Sequence, residues 1–297
     1  MCMGVRTDNT MNYIEWLNTT IGMPEEPAAF CREWCPKLAA TELYGEIKRK
    51  FFAPASIDDE LQQYADENGL HVWAVQLIAS ELLSAEMRTI YAERGYDEEI
   101  FVDSVRDIAI WTKVTMRDDK VMGLRNLSWM SHQLRCTMFR LGRMQYHLVK
   151  YSGDPYEAGG FSLKPGDITI NMHIPEGDAL TKEKRIDSYK RAFAFFGGKY
   201  NTFTCHSYLF YEKHLDFLPE KSNIRDFMGD FHLYEFTEKD GDDNLWRIFD
   251  KRDTYDPSKL PRDTSLRRAY AEHLERDGFK VGAGRGVFFF DGEKFYK

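Results

Sequence analysis

The 297-residue sequence has no excess of positive charge, no long apolar run and little cysteine. Its 40 Lys and Arg against 48 Asp and Glu leave a net charge of -8 without any basic stripe. That balance argues against a dedicated nucleic-acid binder, which needs a positive field to draw phosphates. No stretch approaches the ~18 consecutive apolar residues of a membrane span. The first residues, MCMGVRTDNTMNYIEW, also lack the positive flank and apolar core of a signal peptide, so no membrane partner and a cytoplasmic location are expected. The cysteines, at 2, 31, 35, 136 and 205, are odd in number and scattered, which fits free thiols in a reducing compartment better than a disulfide framework. Cys31 and Cys35 lie one helical turn apart, with no second Cys or His pair at zinc-ligand spacing nearby, so no metal is expected.

What is present suffices for packed cores: 43% of residues are hydrophobic and 14% aromatic. The length exceeds the ~100 to 200 residues of a usual domain, which predicts two. The first half reads as helix after helix, over Met11 to Asn18, Ala28 to Ala40, Thr41 to Phe52, Ser56 to Asn68, His71 to Arg94, Asp97 to Met116 and Arg125 to Leu134. Pro24 and Pro27 break the first from the second, while Gly69 and Gly95 close two others. His71 to Arg94 is the most apolar, with Trp73, Leu77, Ile78, Leu82 and Ile90, and is the expected central helix. No strand signal of any length precedes residue 136, which predicts an all-helical domain over 1–136.

The period then drops to two. From Met138 to Lys150, Met144, Tyr146 and Leu148 alternate with Arg143, Gln145 and His147. From Asp167 to Ile174, Ile168, Ile170, Met172 and Ile174 alternate with Asp167, Thr169, Asn171 and His173. The Gly, Ser and Pro-rich stretch Tyr151 to Pro165 can return the chain so that these strands pair antiparallel and their polar faces coincide. After the break at Pro175 and Gly177, Thr181 caps a helix carrying Ile186, Tyr189, Phe193 and Phe196, which Gly197-Gly198 stops. A strand over Thr202 to Phe210 then presents Cys205-His206-Ser207. Beyond it are expected a helix over Ser222 to Met228, strands over Phe231 to Phe236 and Leu245 to Phe249, a helix over Leu266 to Arg276, and a turn at Gly282 to Gly286. A hairpin at Asp291-Gly292 closes the chain. Residues 137–297 thus form a mixed domain, and the whole chain is of the α+β class.

The order LGRMQYHL (Leu141 to Leu148), HIPEGDAL (His173 to Leu180), TCHSYLFY (Thr204 to Tyr211), LPEKSNIRDFMGDF (Leu218 to Phe231) and LPRDTSLRRAYAEHL (Leu260 to Leu274) resembles a family of bacterial acyltransferases. These have a helical N-acyltransferase N-terminal domain and a GNAT-like C-terminal domain. The likeness covers most of residues 138 to 286. It departs at Tyr208, where the family has Trp after CHS, and at Tyr211-Glu212, near its Asp-Pro.

The resemblance implies transfer of an acyl group from acyl-CoA or acetyl-CoA to an amine, both small-molecule partners. Such a site must deprotonate an ammonium, polarise the thioester carbonyl and protonate the leaving thiolate. His173, at a strand end and titrating near neutrality, is the first candidate base and Glu176 the second. His206 or Tyr208 could be the acid. Cys205 could carry a covalent acyl group, or be an inert core thiol between Phe203 and Leu209. Arg143, Gln145, His147 and Asn171 are candidates for holding substrate. The CoA pyrophosphate needs backbone N–H groups, for which Gly282 and Gly284 are one candidate. There the amide or basic residue of a GNAT phosphate loop is replaced by Phe279, and the glycines follow a helix instead of a strand. Ser222 and Asn223 opening a short helix, with Arg225 beside them, are the other. Two readings stand: an acyltransferase with its site between the helical domain and the face bearing His147, Asn171 and His173, or a non-catalytic binding or regulatory protein on a degenerate GNAT-like fold.

Overall fold

Helical periodicity in the first half produces helices close to those expected. The computed structural model describes residues 3–240, 245–249, 256–278 and 280–297, and the chain divides into two compact units, Met1–Arg140 and Leu141–Lys297. The first unit holds α1 (Met3–Ile21), α2 (Glu25–Ala39), α3 (Glu42–Phe52), α4 (Asp58–Asn68), α5 (Val72–Glu93), α6 (Glu98–Asp119) and α7 (Leu127–Leu134). Local chemistry sets the ends. Thr41 accepts the Tyr44 amide at the start of α3 and the His71 ring accepts the Trp73 amide at the start of α5, while Gly69 closes α4 at φ 64. Pro24 is the N-cap of α2 and Pro27 sits in its first turn, where a missing N–H costs nothing. As expected, α5 is the core helix: Val75, Leu77, Ile78, Ala79 and Leu83 have no exposed surface. No helix among the described residues is long and apolar enough to cross a membrane.

The second unit is built on a sheet in the order β1-β2-β5-β6-β8-β7, with β9 added to β8. The strands are β1 (Phe139–Leu141), β2 (Met144–Lys150), a separate hairpin of β3 (Tyr156–Ala158) and β4 (Phe161–Leu163), then β5 (Ile168–His173), β6 (Thr202–Ser207), β7 (His232–Asp240), β8 (Lys280–Phe290) and β9 (Phe295–Tyr296). β5 and β6 are parallel and joined by α8 (Lys182–Phe195), a strand, helix, strand crossover, whereas β2 on β5, β6 on β8 and β7 on β8 are antiparallel. Period two sends Tyr146, Ile170, Met172, Phe203 and Phe288 to one face, where Tyr189 of α8 meets Phe203 and Phe288 at ring distances of 6.0 and 5.0 Å. Each such ring withdrawn from water contributes about 1.5–3 kcal/mol. On the opposite face Val287 and Phe289 are covered by β3 and β4, with Tyr156 and Phe161 stacked on Phe289. Short helices α9 (His214–Phe217), α10 (Asn223–Met228) and α11 (Trp246–Phe249), with the longer α12 (Ser265–Asp277), complete the unit. Leu245, Ile248, Phe249, Tyr270 and Leu274 form a core of their own there.

Several sequence expectations are corrected. Residues 246–249 are helical, because Ile248 and Phe249 must both turn into that core, and a strand would send them to opposite sides. β6 ends at Ser207, whose hydroxyl accepts the Leu209 amide and starts a 3-10 turn over Tyr208–Phe210. Gly282 to Gly286 form no turn and lie within β8. Arg143 sits in the turn between β1 and β2, off the strand. β3 and β4 fill a stretch read as loop.

Candidate active site

Register assembles the site. In β2 and β5, Gln145 stands opposite His173, His147 opposite Asn171 and Val149 opposite Thr169, while Asn171 pairs across β5 and β6 with Thr204. His206 then pairs with Arg285, and Arg285 with Tyr234. One row of this face, Gln145, His173, His206, Arg285 and Tyr234, is therefore polar across five strands. Instead of facing bulk water, Thr169 and Gln145 are buried and Asn171, His147 and His173 half-buried.

Three side chains converge. Asn171 Nδ2 lies 3.0 Å from His147 Nε2 and 3.0 Å from His173 Nε2, and the two ring nitrogens are 3.1 Å apart. The Thr204 hydroxyl donates to Asn171 Oδ1 at 3.4 Å and meets the Thr169 hydroxyl at 3.0 Å, which turns the amide nitrogen toward the rings. A pair of neutral imidazoles whose Nε2 atoms meet requires one proton between them, since two bare lone pairs repel. A small open cleft of about 70 Å³ adjoins the cluster, walled by Lys150, Thr169, Thr204, His206, Tyr234 and Arg285.

The β5–β6 pairing ends at this point. β5 and β6 pair from Ile170–Phe203 to Met172–Cys205 and no further, leaving His173 and His206 each one residue past the last pair. The chain after His173 is fastened: Arg143 donates from Nε to the Asp178 carbonyl at 2.7 Å and from Nη1 to that of Pro175 at 2.9 Å, while Lys184 pairs with Asp178 at 2.6 Å. Buried Arg185 donates to the Leu180 carbonyl and is held by Asp226 and Asp230, both at 2.7 Å. Arg143 therefore shapes this loop instead of lining the sheet face.

The remaining candidates scatter. Glu176 is exposed on the fastened loop. His206 is exposed on the cleft side, and burial together with Arg285 holds its ring below the ordinary range. Tyr208 stands on the 3-10 turn; burial raises its hydroxyl, Arg247 lowers it and Glu176 raises it again, so it is a protonated donor near that loop. Cys205 is 2% exposed and alternates to the face opposite the histidines, where burial pushes its thiol far up, which suits the inert core thiol and not a nucleophile. The Ser222 hydroxyl is spent on the Ile224 amide, and Arg225 on the Leu218 carbonyl at 3.1 Å. Gly282 and Gly284 have other work: a Cβ on Gly282 would lie 1.9 Å from the Tyr211 ring, and one on Gly284 2.7 Å from the Phe210 carbonyl. Phe279 lies outside the described residues. Thr169 was read on this face; Thr204, Tyr234 and Arg285 were not, although Thr204 and His206 share a strand face by simple alternation.

A parallel strand pair joined by a crossover helix lies at the centre of a mixed sheet. Two family models match the chain, the N-acyltransferase N-terminal domain over residues 13–136 and the GNAT-like C-terminal domain over residues 138–288. The second alone spans just over half of the sequence, and the chain belongs to the family with this GNAT-like C-terminal domain. A solved acyltransferase in complex with decanoyl-CoA superposes with a TM-score of 0.71 at 18% identity, over 91% of this chain and 86% of that one. Another, in complex with decanoyl-CoA and teicoplanin, gives 0.61 at 19%, over 92% and 98%. An acyltransferase mutant in complex with octanoyl-CoA gives 0.62 at 19%, over 93% and 98%. No curated protein matches the chain.

Proposed function

We propose that the chain transfers an acyl group from a CoA thioester to an amine acceptor, using the His147, Asn171 and His173 cluster as its base. The observation that carries this is the meeting of three nitrogens at 3.0–3.1 Å where the β5–β6 pairing ends. The end of the β5–β6 pairing is where a pantetheine arm would lie, as an added strand segment. The amine loses its proton to the His173 and His147 pair and attacks the thioester carbon. The new C–N bond forms as the C–S bond breaks, and the leaving thiolate takes the proton that the histidine pair removed from the amine. Medium-chain donors are the first to try, because the similar structures hold decanoyl-CoA and octanoyl-CoA.

The test is release of CoA thiol from decanoyl-CoA, octanoyl-CoA and acetyl-CoA against a panel of amines that includes teicoplanin-type glycopeptides. Wild-type protein should release thiol only with a donor and acceptor together. His173→Ala should lose about 100-fold or more in kcat while its melting temperature stays within a degree or two. Retained turnover would remove His173 from the chemistry. Binding of acyl-CoA without turnover on any acceptor would favour the non-catalytic reading.

A further inference from the structure

The helical unit contains a second chemical cluster unrelated to the sheet. Residues four apart on a helix share a face, and α2 thereby stacks Cys31 and Cys35 against Glu81 of α5. One donor atom from each lies within 4.8 Å of the other two, and all three residues have no exposed surface. The Cys35 thiol points at Glu81 Oε2, 3.9 Å away, and at the Ile78 carbonyl. Asn18 of α1 donates its amide nitrogen to Glu81 Oε2 at 3.1 Å and to the Ile14 carbonyl at 2.9 Å. Two oxygens of the cluster, Glu81 Oε1 and Asn18 Oδ1, are buried without any hydrogen-bond partner.

That combination is poorly explained by packing alone. A buried acceptor without a donor costs about 1–3 kcal/mol, and here two occur beside two thiols, which are weak donors. A carboxyl in an apolar bundle is replaceable by Leu or Met unless something uses its charge. Two thiolates and a carboxylate are instead three donors of the kinds that Zn²⁺ takes. With Zn–S of about 2.3 Å and Zn–O of about 2.0 Å, neighbouring ligand atoms stand roughly 3.3–3.8 Å apart. The 4.8 Å limit is then closed by side-chain shifts of an ångström or less. Zn²⁺ with two thiolates and one carboxylate leaves a single negative charge, less than a four-thiolate site carries. Ligands from facing helices, two of them on one helix face, are also how bundles hold metals.

We infer that Cys31, Cys35 and Glu81, the last oriented by the Asn18 amide, form a structural Zn²⁺ site tying α2 to α5. Such a site contributes to folding and takes no part in acyl transfer.

Full-length protein grown with zinc, dialysed against chelator and assayed by elemental analysis should hold about one zinc per chain. Refolding with Co²⁺ should give thiolate-to-cobalt charge-transfer absorption and the intense visible bands of tetrahedral cobalt. Glu81→Gln keeps the shape and removes the charge. It should lower zinc content by at least half and lower the melting temperature, whereas in a metal-free core the same change is neutral or stabilising. Cys31→Ser should abolish the charge-transfer band. Zinc-free wild-type protein with no cobalt spectrum after refolding would overturn the inference. So would zinc retained in full by both variants, since the metal would then lie elsewhere.

Discussion

At the scale of single residues, Thr204 decides whether the cluster points the right way. Its hydroxyl fixes the Asn171 amide, and a misplacement of even an ångström costs a base much of its efficiency. Thr204→Val keeps shape and β propensity, so kcat should fall about 10- to 100-fold with KM for acyl-CoA unchanged. A rise in KM alone would show that Thr204 only lines the pocket. Gly282 makes the opposite point, for its role is spatial and not chemical. Gly282→Ala would drive a Cβ into the Tyr211 ring and to 2.7 Å from the Thr237 carbonyl. A loss of about 1–3 kcal/mol is expected in chemical denaturation, and an unchanged midpoint would mean that the Phe210–Tyr211 segment moves aside.

At the scale of elements, the loop from Ile174 to Leu180 is held between β2 and α8 by Arg143 and Arg185. Arg185→Met leaves Asp230, which is 16% exposed, and the half-exposed Asp226 without their cation. Breaking a buried pair costs about 3–5 kcal/mol, and partial hydration of the acids places the loss toward the lower end. Arg143→Met should mainly speed amide hydrogen exchange over 174–180 with a smaller loss of stability. Equal protection in both proteins would show that the loop needs no such fastening.

What the sequence revealed at this scale follows from how far each signal reaches. Alternation in Met144 to Leu148 and Ile168 to His173 is local, so the strands, their antiparallel pairing and the joint placement of His147, Asn171 and His173 were all readable. The helices were readable too, through the cap at Thr181 and stops at Gly69 and Gly197. Other features depend on partners distant in sequence. Gly282, Gly284 and Gly286 look like a turn until Tyr211, Phe210 and Phe231 are known to press against them. Cys31 and Cys35 look partnerless until α5 brings Glu81. Phe249 looks like a strand residue until the core of Leu245, Tyr270 and Leu274 claims it. Arg143 follows the alternation of its neighbours, but a turn at Gly142, with φ 72, takes it off the face.

At the scale of the whole molecule, stability should depend on pH through His214. It is fully buried, its Nδ1–H donating to the Leu209 carbonyl and its Nε2 accepting from the Tyr270 hydroxyl. Burial pulls its pKa down from 6.5 to about 4. The unfolded chain therefore binds more protons between those values. The group's contribution is complete above pH 6.5 and is lost as pH falls toward 4, by up to about 3 kcal/mol. Denaturation midpoints measured from pH 7 to 4.5 should fall, and His214→Gln should flatten that slope. An identical slope in the variant would place the titration elsewhere.

The central claim is that the protein receives a CoA thioester where the β5–β6 pairing ends, beside the histidine pair. Calorimetric titration of decanoyl-CoA into the full-length protein tests it most directly. The account predicts saturable binding of one thioester per chain, accompanied by a rise in melting temperature. Absence of heat and of any thermal shift with decanoyl-CoA, octanoyl-CoA and acetyl-CoA alike would contradict it.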